Sequence, residues 1–139
     1  MSKIIVLGAG MVGSAMARDL HKNHQVVSAD INQEALQTLN KDFGIETMIL
    51  DCFNKNELKS ALKDFDLVVC AVPGFMGFET LKTIIECGKN VADISFFPED
   101  VFELDALAKE NNVTAIVDVG VAPGMDNFIL GYHDAEMKV

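Results

Sequence analysis

Six short runs rich in aliphatic and β-branched residues recur along the chain, and polar or glycine-containing sequence separates them. A nearly continuous apolar run, rather than strict alternation of apolar and polar positions, is typical of a strand covered on both faces of a parallel sheet. The pattern therefore predicts six buried strands, at residues 4–7, 25–29, 45–50, 67–72, 90–94 and 113–117.

Between the predicted strands, apolar residues recur at the i, i+3, i+4 and i+7 spacing of one helical face. The clearest set is Leu58, Ala61, Leu62 and Phe65. A helix after the second strand is expected to begin behind an Asn32 N-cap and to end at Gly44. Further helices are predicted over 11–21, around 81–85, around 101–108 and from about Asp126.

Strands that alternate with helices through short connections form a parallel sheet with helices on both faces. Right-handed crossovers then wind the chain outwards from the centre of the sheet in both directions. We therefore expect an α/β, doubly wound domain with strand order 3-2-1-4-5-6. The length of 139 residues fits one such domain, spanning 1–139.

The connection after the first strand reads Gly8-Ala9-Gly10-Met11-Val12-Gly13. This GxGxxG spacing between a strand and a helix is typical of a dinucleotide-binding turn. Gly8 would make the tight turn, Gly10 would let a diphosphate approach the backbone, and Gly13 would let the helix lie close to the strand. The free N–H groups and positive end of the helix favour an anion there. The alternative is that the glycines serve the turn and its packing alone.

An acidic residue ends the second predicted strand. Asp30 lies 20 residues beyond Gly10, where a carboxylate accepts hydrogen bonds from the adenosine ribose hydroxyls. Its charge would repel a 2′-phosphate and no arginine follows it, so the sequence predicts NAD in preference to NADP. Asp51 and Cys52 follow the third strand. They are expected to meet the adenine, or, for Asp51, to cap the next helix.

Composition narrows the range of partners and compartments. The formal charge of −10 disfavours nucleic acid and anionic membranes, since both would repel the chain. No apolar stretch is long enough to span a bilayer. Cys52, Cys70 and Cys87 form no CxxC pair, so we predict neither a metal site nor a disulfide framework. Cys70 is expected to be a buried free thiol, and reduced thiols fit a cytoplasmic protein.

The second half of the chain carries a family resemblance. DLVVCAVPGF at 66–75, NVADISFFP at 90–98 and VTAIVDVGVAPGMDNF at 113–128 resemble the saccharopine dehydrogenase-like family, particularly its lysine 6-dehydrogenase and saccharopine reductase branch. The resemblance implies a Rossmann domain that begins a longer protein. It further implies that a second domain, absent from this chain, binds the substrate and forms a homodimer. The implied reaction transfers hydride between a nicotinamide and an amine-bearing carbon of an amino acid such as lysine.

The resemblance also assigns residues. The backbone of Gly10, Met11 and Val12 would hold the diphosphate, in the turn framed by Gly8 and Gly13. Asp30 would take the adenosine ribose, and Asp51 and Cys52 would face the adenine. The nicotinamide ribose would pass the segment that comprises Cys70, Ala71, Val72 and Pro73.

Asp126 matches the acid of the family's PGxD segment and is the candidate contact for the substrate, while the general acid and base stay unassigned. The reductases often have DPG where this chain has Ala122-Pro123-Gly124. That departure favours an NAD-dependent amine dehydrogenase over the NADP reductases. A different class stays open: a regulatory, NAD-sensing domain of the potassium-transport type, which would need no catalysis.

Overall fold

A parallel sheet runs through the structure, a computed structural model that describes residues 2–137. Its strands are β1 (Lys3–Leu7), β2 (Gln25–Asp30), β3 (Glu46–Ile49), β4 (Leu67–Cys70), β5 (Asn90–Asp93) and β6 (Ala115–Ile116). The strands pair in the order β3-β2-β1-β4-β5-β6, and every pair is parallel. The predicted α/β doubly wound fold and its strand order are confirmed.

The helices cover both faces of this sheet. They are α1 (Met11–Leu20), α2 (Gln33–Phe43), α3 (Lys55–Ala61), α4 (Gly74–Glu86), α5 (Asp105–Glu110) and α6 (Met125–Glu136). Residues of α1 and α2 pack on one face around Ile4 and Val6. Residues of α3 and α4 pack on the other face around Ile5 and Leu7. Consecutive residues of β1 thus serve opposite cores, as the continuous apolar run predicted.

Helix boundaries follow from local chemistry. The Asn32 side chain accepts hydrogen bonds from the backbone N–H groups of Glu34 and Ala35, at 3.1 and 3.2 Å. Gly44 ends α2 in the left-handed conformation, with a φ of 69°. Both predictions for this helix are confirmed. The helix after β3 is capped by Asn54, so the alternative in which Asp51 caps it is wrong.

Some elements are shorter than their apolar patterns predict. The predicted strand 113–117 pairs only over Ala115–Ile116. The Thr114 N–H instead bonds to the Asn90 side chain at 2.8 Å, and Asp118 turns the chain away with a φ of 55°. The predicted helix around 101–108 divides into a 3₁₀ turn, Val101–Leu104, followed by α5.

The last helix packs little against the two cores, whereas α5, which also lacks a fully buried side chain, packs Leu107 and Ala108 against one of them. Within residues 2–137, α6 contributes no buried side chain, and Phe128 and Leu130 are 69% and 67% exposed. Among the described residues, no helix combines the length and apolar character needed to cross a bilayer.

Candidate functional site

Close backbone contacts form the β1–α1 connection. Gly8 has a φ of +105°, which L side chains rarely adopt, and a Cβ there would lie 2.5 Å from the Ala71 carbonyl oxygen. A Cβ at Gly13 would run into the Gly8 carbonyl oxygen. Both positions therefore require glycine for α1 to begin directly against the ends of β1 and β4.

Gly10 differs from these two glycines because the space around it is open. Apart from Gly10 and its two chain neighbours, no atom lies within 4 Å of a Cβ built at Gly10. Gly10 occupies the N-cap of α1, where no side chain caps the helix and no acidic residue lies in the first turn. The backbone N–H groups of residues 11–13 have no acceptor within the described chain. The start of α1 thus presents free donors and partial positive charge to the cleft above it.

Asp30 is tied to the glycine turn. One carboxylate oxygen accepts a hydrogen bond from the Ala9 N–H at 2.6 Å, and the other accepts one from the Asn32 N–H at 2.8 Å. The carboxylate is therefore held in place beside the turn before any ligand arrives. Each oxygen keeps a second lone pair for a further donor such as a ribose hydroxyl.

These elements enclose one side of a cleft of about 540 Å³ at the carboxyl edge of the sheet. Its lining comprises Gly8, Gly10, Met11, Val12, Gly13, Ala29, Asp30, Ile31, Leu50, Asp51, Cys52, Phe53, Ala71, Val72, Pro73, Phe75, Met76 and Ile94. Eleven of the twelve residues predicted from the sequence as cofactor contacts lie in this lining. The position agrees with the rule that ligands of open α/β sheets bind where the winding direction reverses, here between β1 and β4.

Asp51 and Cys52 line the cleft beyond Asp30. The Asp51 carboxylate accepts the Phe53 N–H at 2.9 Å, which fixes the loop after β3. Burial raises the pKa of the Cys52 thiol to about 12, and the carboxylates of Asp30 and Asp51 add to this rise. The Cys52 thiol is thus held in its neutral form, and it contributes to the wall of the cleft.

Cys70 lies beneath the cleft rather than in its lining. It is fully buried. Burial is the main cause that raises the pKa of its thiol well above the ordinary value, and the charge of the neighbouring Asp93 adds to the rise. Side chains alternate along a strand, so Cys70 faces the core while the chain that follows it reaches the cleft. Of the four residues predicted to pass the nicotinamide ribose, Cys70 is therefore the one whose side chain does not line the cleft. Its prediction as a buried free thiol is confirmed.

Asp93 shares this core position at the end of β5. It has no exposed surface, and one of its oxygens accepts hydrogen bonds from both the backbone N–H and the hydroxyl of Ser95. Burial raises the pKa of the Asp93 carboxyl, while the hydrogen bonds from Ser95 oppose that rise. This pair fixes the segment that brings Ile94 to the cleft.

Asp126 lies outside the cleft lining. Its carboxylate accepts the N–H groups of Gly124 and Asn127, at 3.0 and 2.8 Å, in the first turn of α6. The structure therefore gives Asp126 a local role at this helix start, and its contact with a substrate stays a prediction.

Seven of the eighteen lining residues were not predicted from the sequence, and two of these, Phe53 and Phe75, are aromatic. Phe53 and Phe75 extend from the loop after β3 and from the first turn of α4, and their rings stack with centroids 6.0 Å apart. The available signal was an aromatic residue just beyond a strand end, in DCFN and VPGF. Within residues 2–137, no three His, Cys, Asp or Glu side chains gather as a metal site would require.

Comparison with known proteins agrees with this geometry. The family model described as the saccharopine dehydrogenase NADP binding domain matches residues 4–116. Alpha-aminoadipic semialdehyde synthase, mitochondrial, of Mus musculus is 24% identical over 131 residues, which are 91% of this chain and 14% of that protein. Saccharopine dehydrogenase [NADP(+), L-glutamate-forming] of Schizosaccharomyces pombe is 25% identical over 130 residues, 91% of this chain and 29% of that protein.

A solved structure shares the fold. The apo saccharopine dehydrogenase (L-Glu forming) of Saccharomyces cerevisiae superposes with a TM-score of 0.85 at 22% identity, over 98% of this chain and 31% of that one. The chain thus spans less than a third of each of these proteins, and none of the three supports the alternative of a regulatory NAD-sensing domain. Because the family model covers most of the sheet together with the glycine turn, the chain belongs to the family of saccharopine dehydrogenase NADP-binding domains.

Proposed function

We propose that this chain binds NAD as the cofactor domain of an oxidoreductase that acts on the CH–NH group of an amino acid, such as lysine or a related amine. The observation that carries the proposal is the pairing of the open N-terminus of α1 with the carboxylate of Asp30 across one cleft. One feature suits a diphosphate and the other suits a ribose, and a dinucleotide contains both.

The chain's own groups have distinct roles in this proposal. The backbone N–H groups of residues 11–13 bind the diphosphate, and Asp30 accepts the adenosine ribose hydroxyls. Ala71, Val72 and Pro73 line the path towards the nicotinamide. When bound, the nicotinamide supplies hydride transfer, and the protein supplies position and electrostatic field.

Asp30 supports NAD in preference to NADP. The relative from Schizosaccharomyces pombe is named for NADP(+), whereas this chain has a fixed carboxylate where a 2′-phosphate would lie. The Asp30 carboxylate and a 2′-phosphate beside it would repel each other. No basic side chain follows Asp30 to neutralise the phosphate, because the next residues are Ile31 and Asn32.

The substrate site is proposed to lie mainly in a second domain, which would also form a homodimer, because the relatives are more than three times as long as this chain. Asp126 is the candidate to meet the substrate ammonium. We expect the 139-residue chain by itself to show no turnover of lysine or saccharopine with NAD. Measurable NADH formation would contradict the proposal that the substrate site lies mainly in a second domain. Its free thiols support a reducing compartment, the cytoplasm in our proposal.

Calorimetric titration of the chain with NAD and with NADP tests the cofactor proposal. We expect saturable binding of NAD and weaker binding of NADP. Equal affinities would refute the role given to Asp30, and no binding of either nucleotide would refute the proposed function.

A further inference from the structure

Large apolar side chains are exposed along the rim of the cleft. Phe53, Phe75, Ile31 and Met11 are 64%, 78%, 69% and 94% exposed, and all four contribute to the lining. Exposed apolar groups that are contiguous, rather than scattered, mark surfaces that bind a partner or ligand.

Phe53 and Phe75 form the ordered part of this rim. The two rings come from different elements, and their planes differ by only 26° at a centroid distance of 6.0 Å. The backbone beneath each ring is fixed: the Phe53 N–H bonds to Asp51 at 2.9 Å, and the turn around Phe75 is closed by the Met76 N–H on the Pro73 carbonyl at 3.0 Å. The backbone that carries each ring is thus fixed, and both rings are mostly exposed to solvent.

The fold itself gains little from this pair. Both rings stay mostly exposed, so their contact removes little apolar surface from water. The ion pair between Lys55 and Glu79, at 2.7 Å, already links the start of α3 to the middle of α4 without them. A stacked aromatic pair that the core does not use is available to a flat ligand.

We infer that Phe53 and Phe75 form the platform on which the adenine base of the dinucleotide stacks. This inference rests on the proposed function, which puts the diphosphate at residues 11–13 and the ribose at Asp30. The base is attached to that ribose, and Asp30 and the two rings line the same cleft. Aromatic faces bind nucleobases by stacking, which requires a flat apolar surface of this kind.

A tryptophan introduced at the platform reports on the base directly. The chain contains no tryptophan, so the emission of Phe53→Trp comes from this position alone. ADP is the probe, because it contains adenine, ribose and diphosphate but no nicotinamide. We expect saturating ADP to quench the indole. Phe102→Trp is the matched control, since Phe102 is 79% exposed and does not line the cleft; its emission should not change.

Truncation of the platform measures its contribution. Replacing both rings, in Phe53→Ala/Phe75→Ala, should raise the Kd for ADP by roughly 5- to 150-fold, the range for loss of one base–aromatic stack. Phe102→Ala should leave that Kd unchanged. Because all three side chains are exposed, we expect thermal unfolding of each variant to match that of the original chain.

The possible outcomes distinguish the failure of the aromatic platform from the failure of the proposed function on which it rests. Suppose that the original chain binds ADP, that the double variant binds it equally well, and that ADP does not quench the emission of Phe53→Trp. The platform is then refuted and the proposed function stands. If the original chain binds neither ADP nor NAD, the proposed function fails and the platform fails with it.

Discussion

Replacing Gly10 by alanine adds one methyl group at the point where α1 begins. Gly10 has a φ of −68° and a ψ of −173°, an extended conformation that alanine adopts without strain. The added Cβ meets no atom within 4 Å beyond residue 10 and its two chain neighbours. The substitution therefore alters the cleft and leaves the packing of the fold intact.

Two small effects on stability oppose each other. Alanine reduces the conformational entropy of the unfolded chain, which stabilises by about 0.4–1 kcal/mol. Alanine is also a poorer N-cap than glycine, which costs a similar amount. We expect the free energy of unfolding to change by no more than about 0.5 kcal/mol.

The effect on ligand binding is larger. The methyl group projects into the space through which a diphosphate approaches the N–H groups of residues 11–13. Loss of one hydrogen bond to a charged group costs about 1.5–3 kcal/mol, so the Kd for NAD should rise roughly 10- to 150-fold. Gly13→Ala is the contrasting variant: its Cβ would run into the Gly8 carbonyl oxygen, so it should lower stability by about 1–3 kcal/mol.

Urea unfolding and calorimetric titration on the same preparations distinguish these cases. The reasoning predicts that Gly10→Ala keeps the original unfolding midpoint and loses NAD affinity. Wild-type affinity in Gly10→Ala would refute the phosphate role and leave the glycines with turn and packing functions alone.

Two further predictions concern carboxylates. Asp30→Asn removes a charge that would face a 2′-phosphate; at about 4 Å in water the repulsion is about 1.5–2 kcal/mol, so the ratio of NADP to NAD affinity should rise roughly 10- to 30-fold in paired titrations. An unchanged ratio would show that Asp30 does not select the cofactor. Burial raises the pKa of Asp93 above its ordinary value of 3.8, so the folded chain binds more protons than the unfolded chain between the two pKa values. The stability that this carboxyl contributes is therefore present below that window and is lost as pH rises through the folded-state pKa. Asp93→Asn should accordingly gain stability relative to the original chain from acidic to neutral pH in a urea series, and a constant difference would contradict this sign.

Local signals in the sequence account for much of the fold. Continuous apolar runs predicted the buried strands, and the Asn32 cap and the Gly44 stop are confirmed because each acts through its own backbone. The strand order follows from alternation and crossover handedness rather than from any single residue. The apolar pattern did not predict how short β6 is. The Thr114 N–H bonds to the side chain of Asn90 in β5, and an apolar pattern does not reveal such a bond.

The site was less accessible to sequence reasoning. A run that is apolar throughout does not reveal which residues face the cleft. The resemblance assigned the whole segment from Cys70 to Pro73 to the cofactor, and only the structure shows that the Cys70 side chain faces the core. The contact between Phe53 and Phe75 joins two loops that meet only after the sheet has formed. Similarly, no local pattern shows that Ala9 holds the Asp30 carboxylate beside the turn.

A crystal structure of the chain with NAD tests the central claim most directly. We predict that the diphosphate lies on the backbone N–H groups of residues 11–13 and that the adenosine ribose hydroxyls bond to Asp30. A dinucleotide bound at another edge of the sheet, or one whose ribose does not reach Asp30, would contradict the account.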